Sequence, residues 1–370
     1  MGHLIPLIAF ILCVVLDAAL LPQDAHADSG QSALLFEDNT PLTIEIVAPW
    51  RKISRDKKPK PAWAKATLAL SDSSASDTNA NAIDANANKE PSLKPFNIQV
   101  QPRGRSRREK GVCDFPPLWL NFKRSEVAGT IFAGQNKLKL VTHCTKLGNR
   151  LREYSDRVHS EYLLYKILNQ VTPLSFRVRA VNVTYIEDAR RYTHPAFIIE
   201  HKTTLAQRST TTLIKKRYLP EREQNADYAA TMSLFAYFAG NTDFSFVRSR
   251  GQEDCCHNAV PLLNNDEAFA VPYDFDSTGF VDPPYAAPAD ELGITEVTTR
   301  LYRGYCSHGA SLPRAIERFR AIQQDTLRLI EEYEGITKKR RKKLLRFTKR
   351  FYQVLDSPKK TQQALTSRCR

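Results

Sequence analysis

Alternation of apolar and polar positions is the first order visible in this chain. Residues 41–49 (PLTIEIVAP) and 95–102 (PFNIQVQP) alternate with period two and read as strands. So do 117–123 (PLWLNFK) and 136–142 (NKLKLVT), and Gly129 and Gly134 between them predict a hairpin with a long tip. The pattern then changes to the helical one. Val158, Glu161, Tyr162, Tyr165 and Leu168 form one stripe, which predicts a helix over 156–169. Strands are expected again at 175–186 and 195–200. A second helix is expected at about 222–239, with Tyr228, Met232, Phe235 and Phe238 on one face and Gly240 at its C-terminal cap. Two more helical patterns cover Ser311–Tyr333 and Thr337–Leu355. The order of strands before helices predicts an α+β protein, with a sheet-rich first part (95–201) and a helical second part (202–370).

The ends and interruptions set the compartment. Leu4 to Leu21 is mostly apolar, and A25-H-A27 offers a small-x-small cleavage site, so 1–27 reads as a signal peptide although no Lys or Arg precedes the apolar run. A retained anchor is the competing reading, and Asp17 and the short run argue against it. Removing 1–27 takes away Asp17 and Asp24, so the net charge of +14 becomes +16. No later run is long enough to span a bilayer. Within 28–94, the stretch 71–88 (SDSSASDTNANAIDANAN) has nothing to bury and reads as a disordered insertion.

Six cysteines follow the cleavage site: Cys113, Cys144, Cys255, Cys256, Cys306 and Cys369. An even number in an exported chain predicts disulfides. Folding the 117–142 hairpin about its tip brings Cys144 towards Cys113, which makes that pair the preferred one; an adjacent Cys255–Cys256 bond is not expected. Zinc at "DCCHN" is the competing reading, against the usual ligand spacing.

The basic balance calls for anionic company, and charge by itself does not choose among phosphate, lipid, acidic glycan and nucleic acid. The basic run 338–343 reads as the solvated face of a helix, and Arg300 and Arg303 are weaker candidates for a phosphate. More telling is A270-V-P-Y-D-F-D-S-T-G-F-V281. Asp274 and Asp276 at strand spacing emerge on one face, where they repel each other unless basic groups, protons or a hard cation such as Mg2+ neutralise them. Glu161 raises a similar question, because its stripe should be buried and Lys137 and Lys139 on the preceding strand are the available cations. A hydrolase using the paired carboxylates is disfavoured, since the pair is too close for glycosidase geometry.

Taken in order, "QPRGRSRR", the Lys139 strand, "GNTD", "HN" and "VPYDFD" resemble the spore-coat CotH-like secreted kinases and, more distantly, the HipA-like atypical kinases. The resemblance spans roughly 95–285 and is also shared with uncharacterised exported bacterial proteins. It implies a two-lobed atypical kinase-like fold and Mg2+-dependent (or Mn2+-dependent) transfer of a phosphoryl group from ATP or another nucleotide. By the resemblance, Lys139 would bind phosphates with Glu161 as its partner, and the backbone at Glu200–His201 would contact the base. Asp243 would be the catalytic base, and Asn258 and Asp274 would hold the metal with Asp276 as auxiliary. Two departures stand out: Asp243 and Asn258 are not spaced as in D-x-x-x-x-N, and no G-x-G-x-x-G precedes Lys139. The implied substrate is a hydroxyl of a protein or anionic envelope component, with the chain a monomer and nucleic acid not expected as a partner. The alternative is an inactive relative that binds an anionic envelope polymer.

Overall fold

The computed structural model describes Met1 and residues 34–71 and 94–370, apart from 105, 150, 250 and 252. The signal-peptide reading falls outside these residues, as does all of the 71–88 insertion except Ser71. The alternating segments become strands almost where they are expected: β1 (Leu42–Val47), β3 (Phe96–Pro102), β4 (Leu118–Phe122), β5 (Lys137–Val141), β6 (Val178–Glu187) and β7 (Arg190–Ile199). In β3 the period is plain, since Phe96, Ile98 and Val100 are buried while Asn97 and Gln99 face outward. Sequence reasoning missed β2 (Ala64–Leu70), which lies between β1 and β3.

The expected two-lobed kinase-like fold, with a sheet-rich first lobe and a helical second lobe, is incorrect. The sheet is a closed seven-stranded barrel in the order β1-β2-β3-β4-β5-β7-β6, and a three-stranded sheet lies within the half expected to be helical. Closure comes from β1, which pairs antiparallel with β2 and, along Leu42–Val47, parallel with Val181–Ile186 of β6. A barrel removes both edges of the sheet, and it turns the amino-terminal segment into an integral wall. Its interior is filled by Ile44, Ile46, Trp50, Leu120, Leu140, Val183, Tyr185 and Ile198.

Helix α2 (Arg152–Val171) lies against β6 and β7 outside the barrel, after the short α1 (Trp50–Arg55). It is buried on most sides, because its other flank meets the closing helices, with Tyr162 5.9 Å from Tyr333 between ring centroids. After α3 (Lys202–Arg208) comes α4 (Ala226–Ala239), which is apolar nearly all round and so becomes the centre of the second core. Asn225 caps its start by accepting from Tyr228 N–H at 2.9 Å, and Gly240 ends it in the left-handed conformation (φ 62°). Helices α5 (Leu312–Ala321), α6 (Gln323–Glu332), α7 (Lys338–Leu355) and α8 (Pro358–Ala364) complete the chain. The single helix expected over Ser311–Tyr333 is two helices, parted at Ile322.

Three disulfides close the framework: Cys113–Cys144 as expected, Cys306–Cys369, and Cys255–Cys256, the adjacent pair that was not expected. The last ties up both thiols of "DCCHN" and removes them as zinc ligands. Three disulfides fit an oxidising compartment. No helix among the described residues is long and apolar enough to cross a membrane.

Candidate active site

The short sheet of the second half positions the site. Strand β8 (Thr212–Leu213) flanks a hairpin of β9 (Ala259–Asn264) and β10 (Glu267–Pro272), joined through left-handed Asn265 and Asp266. Its register pairs Ala259 with Pro272, so Asn258 and Tyr273 leave the open end side by side, and Tyr273 N–H donates to the Asn258 carbonyl at 2.9 Å.

Asp274 therefore lies just past the strand, not within it. Its φ is 64°, and its N–H is fixed by the hydroxyl of Tyr165 at 2.9 Å. The strand-spacing argument for the acidic pair fails here, yet the two carboxylates still converge, on a cation that sequence reasoning did not single out. Arg107, from the turn Ser106–Arg108, is 6% exposed. Its Nε donates to Asp276 Oδ2 at 2.6 Å and its Nη2 to Glu161 Oε2 at 3.1 Å, with Asp274 Oδ1 at 3.9 Å. Tyr285 also donates to Asp276, at 3.2 Å. Burial opposes the charge on Arg107, but Asp276, Tyr285, Glu161 and Asp274 outweigh it and hold the guanidinium firmly protonated. The partner of Glu161 is thus Arg107, where Lys139 was expected.

Three carboxylates surround this one guanidinium. Burial, then the charges of Asp276 and Asp274, push Glu161 up to about 7 against the pull of Arg107. Asp274 is raised by burial and by Asp276. Among the described residues Glu161 Oε1 is buried without a hydrogen-bond partner. The cluster holds more negative charge than it compensates.

Lys139 occupies the adjoining position. Strand β5 places it opposite Ile199, and its Nζ lies 3.8 Å from the centroid of Tyr273. Burial, then Arg103 and Lys202, lower its pKa to about 7 despite the attraction of Asp274. Arg103 Nε is itself buried with no hydrogen-bond partner among the described residues. His201 is pushed to about 4 by burial and by Lys202, Lys139 and Lys137. This end of the site is a cluster of basic side chains. Glu200, by contrast, is a structural clamp: it accepts from Arg208 Nε at 2.7 Å and from Arg177 N–H at 3.1 Å. His201 accepts from Thr203 N–H at the start of α3.

Asp243 stands beyond Gly240, on the loop that leaves α4. Its Oδ1 lies 2.9 Å from His257 Nε2, and Asn258 Nδ2 donates to its Oδ2 at 3.2 Å and to its backbone carbonyl at 2.7 Å. Its N–H donates to Asn241 Oδ1. The long sequence gap between Asp243 and Asn258 is thus closed in space, because the Ser245–His257 bridge folds the insertion back. His257 is a further residue that sequence reasoning left without a role. Arg300, weighed as a phosphate ligand, ties α4 to α7 by donating to the carbonyls of Phe238 and Phe347, and Arg303 braces this loop by donating to those of Thr242 and Phe244.

Lys139, Tyr273, Asp274, Asn258, Asp243 and His257 therefore form one contiguous surface, with Glu161 and Asp276 behind it through Arg107. Among the described residues no group of three His, Cys, Asp or Glu side chains is placed to hold a metal ion. A cation nevertheless fits the charge surplus. Asp276 is hydrogen-bonded to Arg107, whereas the Asp274 carboxylate is 31% exposed and only loosely paired with Arg107, at 3.9 Å. No family model matches the chain, and no curated protein matches it.

The titrating groups carry a pH prediction. Inside the barrel His143 stacks on His194 at 3.8 Å, and burial followed by the charge of His194 depresses His143 well below its usual range. Burial brings His194 and His159 to about 4. A histidine whose folded pKa is depressed contributes stability that is complete above about 6.5 and lost as pH falls towards the folded value. Glu161 and Asp274, with raised pKa values, run the other way. Four histidines, counting His201, against these carboxylates leave unfolding free energy falling by roughly 2 kcal/mol per pH unit near pH 6. Urea melts between pH 7.5 and 5 measure the slope, and His143→Phe should reduce it by roughly 1 kcal/mol per unit. A flat profile would show that the histidines are not held neutral.

Proposed function

We propose that this chain is an exported phosphotransferase that moves a phosphoryl group from a nucleotide to a hydroxyl of a protein or envelope component. The observation that carries the reading is the junction of three unlike parts at the open end of the β9–β10 hairpin. These are a basic cluster with an orphaned buried donor, an acidic cluster with surplus negative charge, and a carboxylate oriented by two neighbours. Lys139 and Arg103 bind the nucleotide phosphates. Asp243, held by His257 and Asn258, orients the acceptor hydroxyl and takes its proton as the oxygen bonds to phosphorus. The bond from phosphorus to the bridging oxygen breaks, and the shortened nucleotide leaves with that electron pair. A divalent cation bound by Asp274, with Asn258 beside it, would supply neutralisation of the phosphate charge.

The test uses the mature protein, its melting temperature, and mass spectrometry of phosphoryl addition to itself or to an envelope extract. ATP with Mg2+ or Mn2+ should raise the melting temperature by roughly 5 °C when ligand stands a hundredfold above its dissociation constant. Lys139→Met should abolish most of that shift. A protein that ignores every nucleoside triphosphate in the presence of both cations has another function.

A further inference from the structure

Helix α7 carries nine Lys or Arg residues and no Asp or Glu over Lys338–Leu355. Part of this charge is structural, which corrects the expectation of a wholly solvated run. Arg340 is buried and donates to Ser160 Oγ at 2.8 Å and to the Phe280 and Val281 carbonyls. Lys343 pairs with Asp282. Buried Arg340, Leu344, Thr348, Phe351, Tyr352 and Leu355 mark the side that meets the core.

On the opposite side Lys338, Lys342, Arg346 and Arg350 recur every four residues, with Lys339 and Lys349 beside the row, and all six are exposed. None of the six forms an ion pair among the described residues. Four residues rise about 6 Å along a helix, so the row presents a cation at roughly that interval. Together with Arg341, Leu345 and Gln353, five of these cations line a trough of about 510 Å³.

This arrangement opposes the helix's own stability. Like charges at i,i+4 repel, and cations in the first turn face the positive end of the helix dipole. A surface that merely keeps a protein in solution mixes both signs, whereas this one excludes carboxylates.

We propose that the outer face of α7 is a docking strip for a linear polyanion, specifically an envelope polymer with a phosphodiester in each repeat. The regular spacing suits a chain of charges lying along the helix. A lipid surface is the poorer partner, because the apolar side of α7 is already buried and Leu345, the apolar side chain of the trough, is itself packed partly against the core. The three disulfides place the chain in an oxidising compartment, away from resident nucleic acid. The strip is independent of the phosphotransfer reading, since none of its residues belongs to the Asp243 site.

Synthetic poly(glycerol phosphate) of defined length is the probe, with binding to the mature protein measured against salt concentration. Lys342→Gln/Arg346→Gln/Lys349→Gln should weaken binding about ten- to a hundredfold and reduce the log–log salt slope by roughly 2. The melting temperature of this variant should stay level or rise, because repulsion is relieved. Wild-type protein that does not bind the polymer, or a variant that binds as well as wild type, overturns the proposal. So does tighter binding to vesicles containing anionic phosphatidylglycerol, or to duplex DNA, than to the polymer.

Discussion

Asp243→Asn should lower the rate of phosphoryl transfer by about a hundred- to ten-thousandfold, the usual worth of a positioned general base. The fold should not notice. The Asp243 side chain is 31% exposed, and its N–H bond to Asn241 and its carbonyl bond from Asn258 run through the backbone. An amide also keeps an oxygen where Asn258 or His257 can donate. Melting temperature and the nucleotide-induced shift should therefore match wild type, which separates loss of chemistry from loss of binding. His257→Gln should give a smaller loss, because it disturbs the orientation of Asp243 but leaves its carboxylate. An asparagine variant that transfers phosphate at the wild-type rate removes Asp243 from the reaction.

Arg107→Met should produce the largest change in stability, a loss of about 3–5 kcal/mol. Arg107 is the shared partner of Glu161 and Asp276, which are 3% and 7% exposed. Without it both carboxylates must remain buried and repel each other, or take up protons. The triple variant Arg107→Met/Glu161→Gln/Asp276→Asn should recover much of the loss, because the penalty comes from stranded charge and not from missing volume. Arg107→Lys should fall between, since a single ammonium cannot reproduce the fork that reaches Asp276 through Nε and Glu161 through Nη2. Guanidinium chloride melts of the four proteins measure this. A single variant that loses less than about 1 kcal/mol would show that the cluster is not a closed electrostatic unit.

Local rules carried much of the sequence reading. The alternating runs at 96–102 and 118–122 are strands, Gly240 ends a helix, and Cys113 meets Cys144. Failures occurred where identity is decided at a distance. Ala64–Leu70 (AKATLAL) has only Thr67 among the β-branched and aromatic residues that advertise a strand, and Pro261 argues against one in Ala259–Asn264. Barrel closure depends on which strand meets β1, and nothing in the composition of Leu42–Val47 names β6. Arg107 sits in a run of similar cations, where only burial distinguishes it from Arg108. The acidic residues were legible because charges among aromatic neighbours call for an explanation, and Asp274, Asn258 and Asp243 do share one surface. The partner of Glu161 was misassigned because β5 offers Lys139 nearby in sequence, whereas the buried cation comes from a turn further upstream.

The parallel seam between β1 and β6 also sets a problem of timing. As the chain is synthesised from its amino end, Leu42–Val47 appears early. It can pair with β2 at once, but its other edge waits until four more strands and the whole of α2 have followed. Throughout that interval an apolar strand shows a row of unpaired amides and carbonyls to its surroundings. Long-range pairing of this kind is slow to form. Until the sixth strand arrives, that edge is where a wrong pairing would form.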